Sequence, residues 1–192
     1  MTDHLVVGLS AWIIQDTNYP DFAQGSRTAF ALEFWAQTPL EGIEPPAAMR
    51  PWHAHQGSAI YAVTGRVVHV DNDWWVVDIG VLVFQNYAPP ANARPGAWLR
   101  GEIYIGIDPF FYFEDCGHRS GAPALIYEWA IDKIEIQTAP MVEISPRVFA
   151  RDPAKLGWKE IAETAAWEDA GEYLLHCDRL DGPRRPQSRR QP

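Results

Sequence analysis

The sequence predicts an all-β protein, a partly open barrel or a sandwich with additional N- and C-terminal hairpins. Alternation of apolar and polar residues with a period of two recurs along most of the chain. Aromatic residues make up 12% of the sequence, which is typical of proteins whose pleated sheets are covered by large rings. Glycines also interrupt strand-like segments, and such glycines mark bulges that let a small sheet curl: Gly65, Gly80, Gly101 and Gly106.

The central part of the chain has the clearest pattern. Three strand-like runs, residues 59–70, 74–84 and 97–108, follow one another with turn-forming segments between them. In the second run both faces are largely apolar, so we expect other parts of the protein to cover each side. In the third run the isoleucines share one face, whereas Tyr104 and Asp108 lie on the opposite, more polar face.

Further strands are expected on either side of this centre. Residues 4–15 and 27–37 read as two strands of an N-terminal hairpin, joined by a loop rich in turn-forming residues. Residues 124–137 and 140–149 also have strand-like composition, and prolines make the second of them an edge strand.

The C-terminal part is less regular. Residues 154–167 have helix-forming composition in their first half, but the turn that follows favours a hairpin, and both alternatives stay open. The last ten residues, 183–192, are rich in Arg, Pro and Gln and are expected to be disordered. The sequence therefore predicts one β-rich domain over residues 1–182, followed by this tail.

The segments "VTGRVVHVDNDWWVVDIGVLV" and "PGAWLRGEIYIGID" together resemble the oligonucleotide/oligosaccharide-binding (OB) barrel. They have that fold's strand meander with internal glycines, and the resemblance covers residues 59–149, with two further strands at its end. It implies a five-stranded barrel of the kind that binds ligands on one face. We expect the chain to belong to a bacterial family with an OB-like barrel. The likeness is one of fold, and a fold does not by itself specify a function.

The charge distribution excludes one class of ligand. The formal net charge is −9, and four arginines in residues 183–192 make the rest of the chain still more acidic. Such a surface repels phosphate backbones, so we expect no nucleic-acid binding. It suits a basic protein partner.

The compartment is inferred from what the sequence contains. The chain begins without a basic segment before its first apolar run, and no apolar run reaches the length of a membrane span. The two cysteines, Cys116 and Cys177, are expected to be reduced. We therefore expect a cytoplasmic protein with no membrane association.

The segment "PWHAHQGSAIYAVTGRV" resembles the first metal-binding motif of cupins, because His53 and His55 precede a strand and a glycine. Side chains two residues apart on a strand share a face, so both imidazoles could reach one divalent ion. Residues 58–60 are Ser, Ala and Ile where the motif's glutamate would fall. We therefore expect no metal and no cofactor, and keep a cupin-like metal-dependent enzyme using His53 and His55 as an alternative.

The aromatic run after the third central strand raises the question of a ligand surface. If the run is extended, its rings point to both sides of the chain, which predicts a segment sandwiched in the core, with Phe111 and Phe113 buried. The residues assigned to ligand binding are those on the polar face leading into the run and the nearby rings: Trp98, Tyr104, Asp108 and Tyr112.

The leading functional hypothesis is a binding or interaction module without chemistry of its own. No recognisable catalytic motif is present, so catalytic residues stay unknown. The acidic surface would suit an immunity-type or assembly role with a basic protein partner. A barrel that binds a sugar or another small ligand is the other non-catalytic alternative, and the sequence does not determine the oligomeric state.

Overall fold

The computed structural model describes residues 4–47, 52–55, 57–168 and 171–187. Strands account for 51% of the chain and helices for 8%, which confirms the all-β class. None of the helices in the described ranges is long and apolar enough to cross a membrane. The elements are β1 (His4–Ser10), α1 (Ala11–Gln15), β2 (Arg27–Phe30), β3 (Leu32–Ala36), β4 (Glu41–Ile43), β5 (Trp52–His53), β6 (Ile60–Val70), β7 (Trp75–Asp78), β8 (Leu82–Gln85), β9 (Trp98–Ile107), α2 (Phe111–Glu114), β10 (Ile126–Gln137), β11 (Met141–Ser145), β12 (Val148–Arg151), β13 (Trp158–Ile161) and β14 (Glu172–Arg184).

Five strands close into a barrel in the order β3-β8-β7-β6-β9, with β9 returning to β3. Strands β3 and β8 pair in parallel at Glu33 and Phe84, and the other four contacts are antiparallel. The sequence predicted a partly open barrel or a sandwich; the structure confirms the barrel form and shows that it is closed. It lies between residues 32 and 107, because β3 supplies the closing strand and β10 belongs to the part of the same sheet outside the barrel. We call this part, formed by β13, β10, β2, β14 and β1, the outer sheet.

Strand β6 pairs with two neighbouring strands of the barrel. Its first half pairs with β9 and its second half with β7, and a register shift occurs between Val67 and His69. At the change of partner, a Cβ atom on Gly65 would lie 2.5 Å from a Val77 methyl carbon. The predicted role of this glycine in curling the sheet is consistent with its position, because only a residue without a side chain fits there.

The predicted second central strand is a hairpin. It divides into β7 and β8 at Gly80, whose φ of 101° suits glycine. The predicted assignment of apolar residues to two faces still holds, because residues paired across a hairpin place their side chains on the same face of the sheet. Trp75 and Val77 face the barrel interior. The opposite face is buried under the segment that follows β9, in a cluster comprising Ala31, Trp74, Val76, Phe84, Tyr112, Cys116, Ala122, Leu125 and Ile126.

The N-terminal strands do not pair with each other, which corrects the predicted hairpin of residues 4–15 and 27–37. Strand β1 lies between β14 and β9, and residues 11–15 form the short helix α1. Strand β2 pairs with β10, whereas β3 belongs to the barrel. The physical reason is burial: β1 is buried over five consecutive residues, so it needs neighbours on both edges and cover on both faces.

The outer sheet is completed by C-terminal strands. Strand β10 pairs along its length with β14, and β2 and β13 share its other edge. Residues 154–167 contain β13 after a 3₁₀ turn, so the strand alternative is confirmed, although β13 pairs with β10 and forms no hairpin with β14. The segment 140–149, predicted as one strand, lies within the hairpin of β11 and β12, which turns at Arg147 with a φ of 63°.

The last strand extends beyond the predicted domain boundary at residue 182. Strand β14 continues to Arg184, and the Arg185 guanidinium donates hydrogen bonds to the Gly117 carbonyl oxygen. These backbone and side-chain bonds order the first part of the segment that was expected to be disordered. Residues 188–192 of the predicted tail lie outside the described residues.

The aromatic run after Asp108 is helical, which corrects the prediction of an extended chain. The Asp108 carboxylate accepts hydrogen bonds from the Tyr112 backbone N–H, and Phe110 has a φ of 85°, so the chain turns into α2. A helical turn spreads the rings around its axis instead of to two sides. Tyr112 is fully buried, whereas Phe111 is 43% exposed.

This difference between neighbouring rings gives a matched test. We expect Tyr112→Ala to lower the free energy of unfolding by about 3–5 kcal/mol, because it empties a buried site in the cluster outside β7 and β8. Phe111→Ala should cost less than about 1 kcal/mol, since its ring is already partly in water. Urea denaturation of both variants measures the difference, and equal losses would contradict the helical placement of the run.

Candidate functional site

A cleft of about 550 Å³ lies where β1, β9 and β14 come together at the junction of the barrel and the outer sheet. Four partly exposed aromatic side chains line it, contributed by α1, β3, β9 and β13: Trp12, Trp35, Tyr104 and Trp158. Several uncharged polar groups and one carboxylate join them: Ser10, Gln37, Gln137 and Glu172. Clefts of this size that combine apolar surface with a few polar groups are typical of small-molecule sites.

Two glycines form the floor of this cleft. Gly8 of β1 and Gly106 of β9 are partners in the parallel contact that joins the two strands. A Cβ atom on Gly8 would lie 1.5 Å from the Tyr104 hydroxyl oxygen, and one on Gly106 would lie 2.9 Å from the Trp35 ring. The absence of side chains at both positions lets these two rings lie over the strands, with centroids 5.7 Å apart.

The cleft rests on its own small hydrophobic cluster. Val6, Ala59 and Leu174 are buried together, and the rings of Tyr104 and Trp158 pack against them. The residues under the two rings are thus closely packed, and close packing limits the positions that side chains can take. Two sides of the cleft are therefore formed before any ligand arrives.

Glu172 is the charged group of the cleft. The Ser10 hydroxyl donates a 2.6 Å hydrogen bond to its Oε2 atom. Burial raises the pKa of Glu172, and the Ser10 hydrogen bond and the positive charge of Arg151 oppose that rise. Burial and the charge of Glu172 together raise the pKa of Tyr104, so its hydroxyl stays neutral near pH 7. The cleft thus presents a desolvated carboxyl group beside an uncharged phenol.

The four residues assigned to ligand binding are not brought together. Tyr104 lines the cleft, on the polar face of β9 as the alternation predicted. Trp98 lies half-buried at the opposite end of the same strand. Asp108 and Tyr112 are fully buried. The Asp108 carboxylate accepts a hydrogen bond from the Tyr112 N–H, and the Tyr112 hydroxyl donates one to the Pro123 carbonyl oxygen.

Sequence reasoning missed most of the cleft. Trp12, Trp35, Trp158 and Glu172 come from four separate segments, and none of them belongs to a local motif. The only available signal was the glycine at position 106, in a strand where every other residue of the same face is polar or aromatic. A glycine there indicates that another group approaches the strand closely.

The two histidines of the cupin-like alternative point to different neighbours. His53 contacts the Tyr61 ring in a tilted arrangement at a centroid distance of 4.4 Å, whereas His55 Nε2 lies 3.5 Å from Glu102 Oε2. Burial, together with His176 and His4 nearby, lowers the pKa of His53. Across the ranges that the structure describes, no group of three or more His, Cys, Asp or Glu side chains is placed to hold a metal ion.

A second polar site is buried beside the parallel contact of β3 and β8. Glu33 is 1% exposed and Asp108 is completely buried. Burial and then the charge of Asp108 raise the pKa of Glu33 to about 8, although a hydrogen bond from the Asn86 backbone acts against this. Burial likewise raises the pKa of Asp108, against the opposing hydrogen bonds from the amides of α2. Because the negative charge of Asp108 adds to the effect of burial, Glu33 keeps its proton near pH 7.

Comparison of the chain with models of known protein families, with characterised proteins and with solved structures found no match.

The buried carboxyl group predicts a pH-dependent stability. The folded protein holds the Glu33 proton up to about pH 8, whereas the unfolded chain releases it near the ordinary value of 4.5, so stability is lost as the pH rises through this interval. Glu33→Gln removes the ionisable group at nearly constant shape. The wild type should lose stability from pH 5 to pH 9 because of Glu33, and the variant should not. We therefore expect the free energy of unfolding of Glu33→Gln minus that of the wild type to increase over this pH range.

Urea denaturation at several pH values measures this difference. Glu44→Gln is the matched control, because Glu44 is exposed and its replacement should change the free energy of unfolding little. A Glu33→Gln effect that is constant across the range would contradict the buried, protonated state of Glu33.

Proposed function

We propose that this protein is a non-catalytic binding module that holds a small organic ligand in the aromatic cleft. The observation that carries the proposal is the meeting of four partly exposed rings and a few polar groups in one cleft of about 550 Å³. This corresponds to the small-ligand alternative, with Tyr104 as the residue that the sequence and the cleft have in common. The preformed floor at Gly8 and Gly106 supports it, because binding then costs little reordering.

The polar groups of the cleft suit recognition better than acid–base chemistry. General acid–base catalysis uses groups that gain and lose a proton near the working pH, often as a pair with separated pKa values. Among the described residues that line the cleft, Glu172 is the only carboxylate, and no His, Cys or Lys joins it. The Ser10 hydroxyl donates a hydrogen bond to the Glu172 carboxylate, and this bond orients both side chains.

We also propose that the barrel is an OB barrel whose last strand comes first in the chain. Taken as β6, β7, β8, β9 and then β3, its pairings follow the OB order, with one long bent strand shared between two neighbours. OB barrels bind their ligands on the face of the second and third strands. Here those strands are β7 and β8, and Tyr112, Leu125 and Ile126 cover their outer face. This supports a ligand in the cleft instead of a nucleic-acid strand on the barrel.

Titration calorimetry with maltose, indole and choline tests the ligand cleft. We expect at least one of them to bind, and Trp12→Ala to weaken that binding by tenfold or more, a loss of about 1.4 kcal/mol. Trp167→Ala is the matched control, since Trp167 is 67% exposed, compared with 47% for Trp12, and is not among the residues that line the cleft. Equal affinity in the wild type and Trp12→Ala, or no binding of these three compounds and of the further probes described below, would contradict the proposal.

A second candidate function is the binding of a protein partner through the hairpin of β11 and β12. This hairpin is a separate two-stranded sheet, and a pair of strands alone is marginally stable in water. It nevertheless exposes large apolar side chains, as interaction surfaces do: Met141, Ile144, Val148 and Phe149. Together with the net charge of −9, this supports a basic partner and the immunity-type or assembly role.

Cross-linking mass spectrometry in the native host tests the hairpin. We expect wild-type protein to cross-link reproducibly to one partner, with links that map to residues 141–151, and the double variant Ile144→Ser/Phe149→Ser to lose them. The Trp12→Ala variant should keep these links, because Trp12 lies in the cleft. Links that persist in the double variant would contradict the assignment of the partner to the hairpin.

A further inference from the structure

We infer that the ligand of the cleft is a substituted ammonium ion, a cation whose charge is covered by methyl or methylene groups. The inference rests on the proposed binding function and adds the chemical class of the ligand. It is carried by the presence of four partly exposed aromatic rings and a single partly desolvated carboxylate in the same cleft.

The rings give the first argument. Three of the four partly exposed rings in the cleft are tryptophans, Trp12, Trp35 and Trp158, and the fourth is Tyr104. The face of an aromatic ring carries negative electrostatic potential, and tryptophan attracts cations most strongly. Aromatic clusters of this composition are the usual surroundings of quaternary ammonium groups in proteins.

The carboxylate gives the second argument. Glu172 is the only charged side chain among the described residues that line the cleft, and no Lys or Arg side chain lines it. Ser10 supplies one hydrogen bond to Glu172 Oε2. Arg151 acts on Glu172 from outside the cleft, with its Nη1 atom engaged by the Ala139 carbonyl oxygen. A cation in the cleft would therefore add a favourable charge contact that a neutral ligand cannot supply.

Other ligand classes fit less well. An anion would meet both Glu172 and a protein with a net charge of −9. A neutral sugar would bury Glu172 further without balancing its charge, which is costly. A bare ammonium group is strongly hydrated, and it would lose that hydration against four rings. Substitution with methyl groups weakens the hydration and provides the apolar surface that rings contact best.

The same chemistry has two sources, a free quaternary ammonium compound and the trimethylated lysine of another protein. Choline represents the first source, and a short peptide with one trimethyllysine represents the second. The neutral comparison for choline is 3,3-dimethylbutan-1-ol, which has the same shape with carbon in place of the charged nitrogen. The unmethylated lysine peptide is the comparison for the trimethyllysine peptide.

Titration calorimetry of the full chain with these four probes tests the inference. We expect choline or the trimethyllysine peptide to bind at least tenfold more tightly than its comparison. Glu172→Gln should bring the ratio of choline to 3,3-dimethylbutan-1-ol, or of the two peptides, close to one, whereas Glu44→Gln should leave it unchanged. Far-UV circular dichroism and thermal melting show whether each variant is folded. If Glu172→Gln is not folded, Trp12→Phe is used in its place. This variant weakens cation–π attraction with little loss of apolar surface, so it should reduce the affinity ratio.

The possible outcomes separate the two proposals. Binding of choline and 3,3-dimethylbutan-1-ol with equal affinity, or binding of maltose or indole alone, overturns the cation inference and leaves the ligand cleft intact. A ratio that Glu172→Gln does not change also overturns it. Failure of all probes, including maltose and indole, overturns the cation inference together with the proposed function.

Discussion

The parallel contact between Gly8 and Gly106 joins the closed barrel to the outer sheet, and the cleft depends on it. Strand β9 already pairs with β3 and β6 inside the barrel, so β1 can approach it only over a short stretch. Side chains at these two positions would separate the strands or displace the Tyr104 and Trp35 rings. Both glycines line the cleft, so this contact forms part of its wall.

Three acidic side chains show how their surroundings give carboxyl groups different roles. Glu33 and Asp108 are buried beside the contact that closes the barrel, where burial raises the pKa of both and the charge of Asp108 adds to the rise for Glu33. Glu172 lies in an open cleft, where a hydrogen bond from Ser10 orients it. The first two influence stability as the pH changes, whereas the third is available to a ligand. Sequence position alone does not distinguish them, because all three occur at or beside strand-like segments.

The segment after β9 removes one apolar face of the barrel from the surface that could bind a ligand. Asp108 turns the chain into α2, and Tyr112 then packs on Trp74 and Phe84 at the outer face of the barrel hairpin. That face would otherwise be a large apolar surface open to solvent. With this face buried, the rings of Trp12 and Trp158 at the junction with the outer sheet are among the aromatic side chains that remain accessible.

The sequence by itself determined the strand character of the chain, the two covered faces of β7 and β8, and the side of β9 on which Tyr104 lies. These features follow from alternation, which depends only on neighbouring residues along one strand. The tertiary structure alone decided that β3 closes the barrel, that β1 lies between β14 and β9, and that Phe111 is exposed. It also decided that residues as far apart as Trp12 and Glu172 share a cleft. Strand partners are chosen by burial summed over the whole molecule, and no local period records that choice.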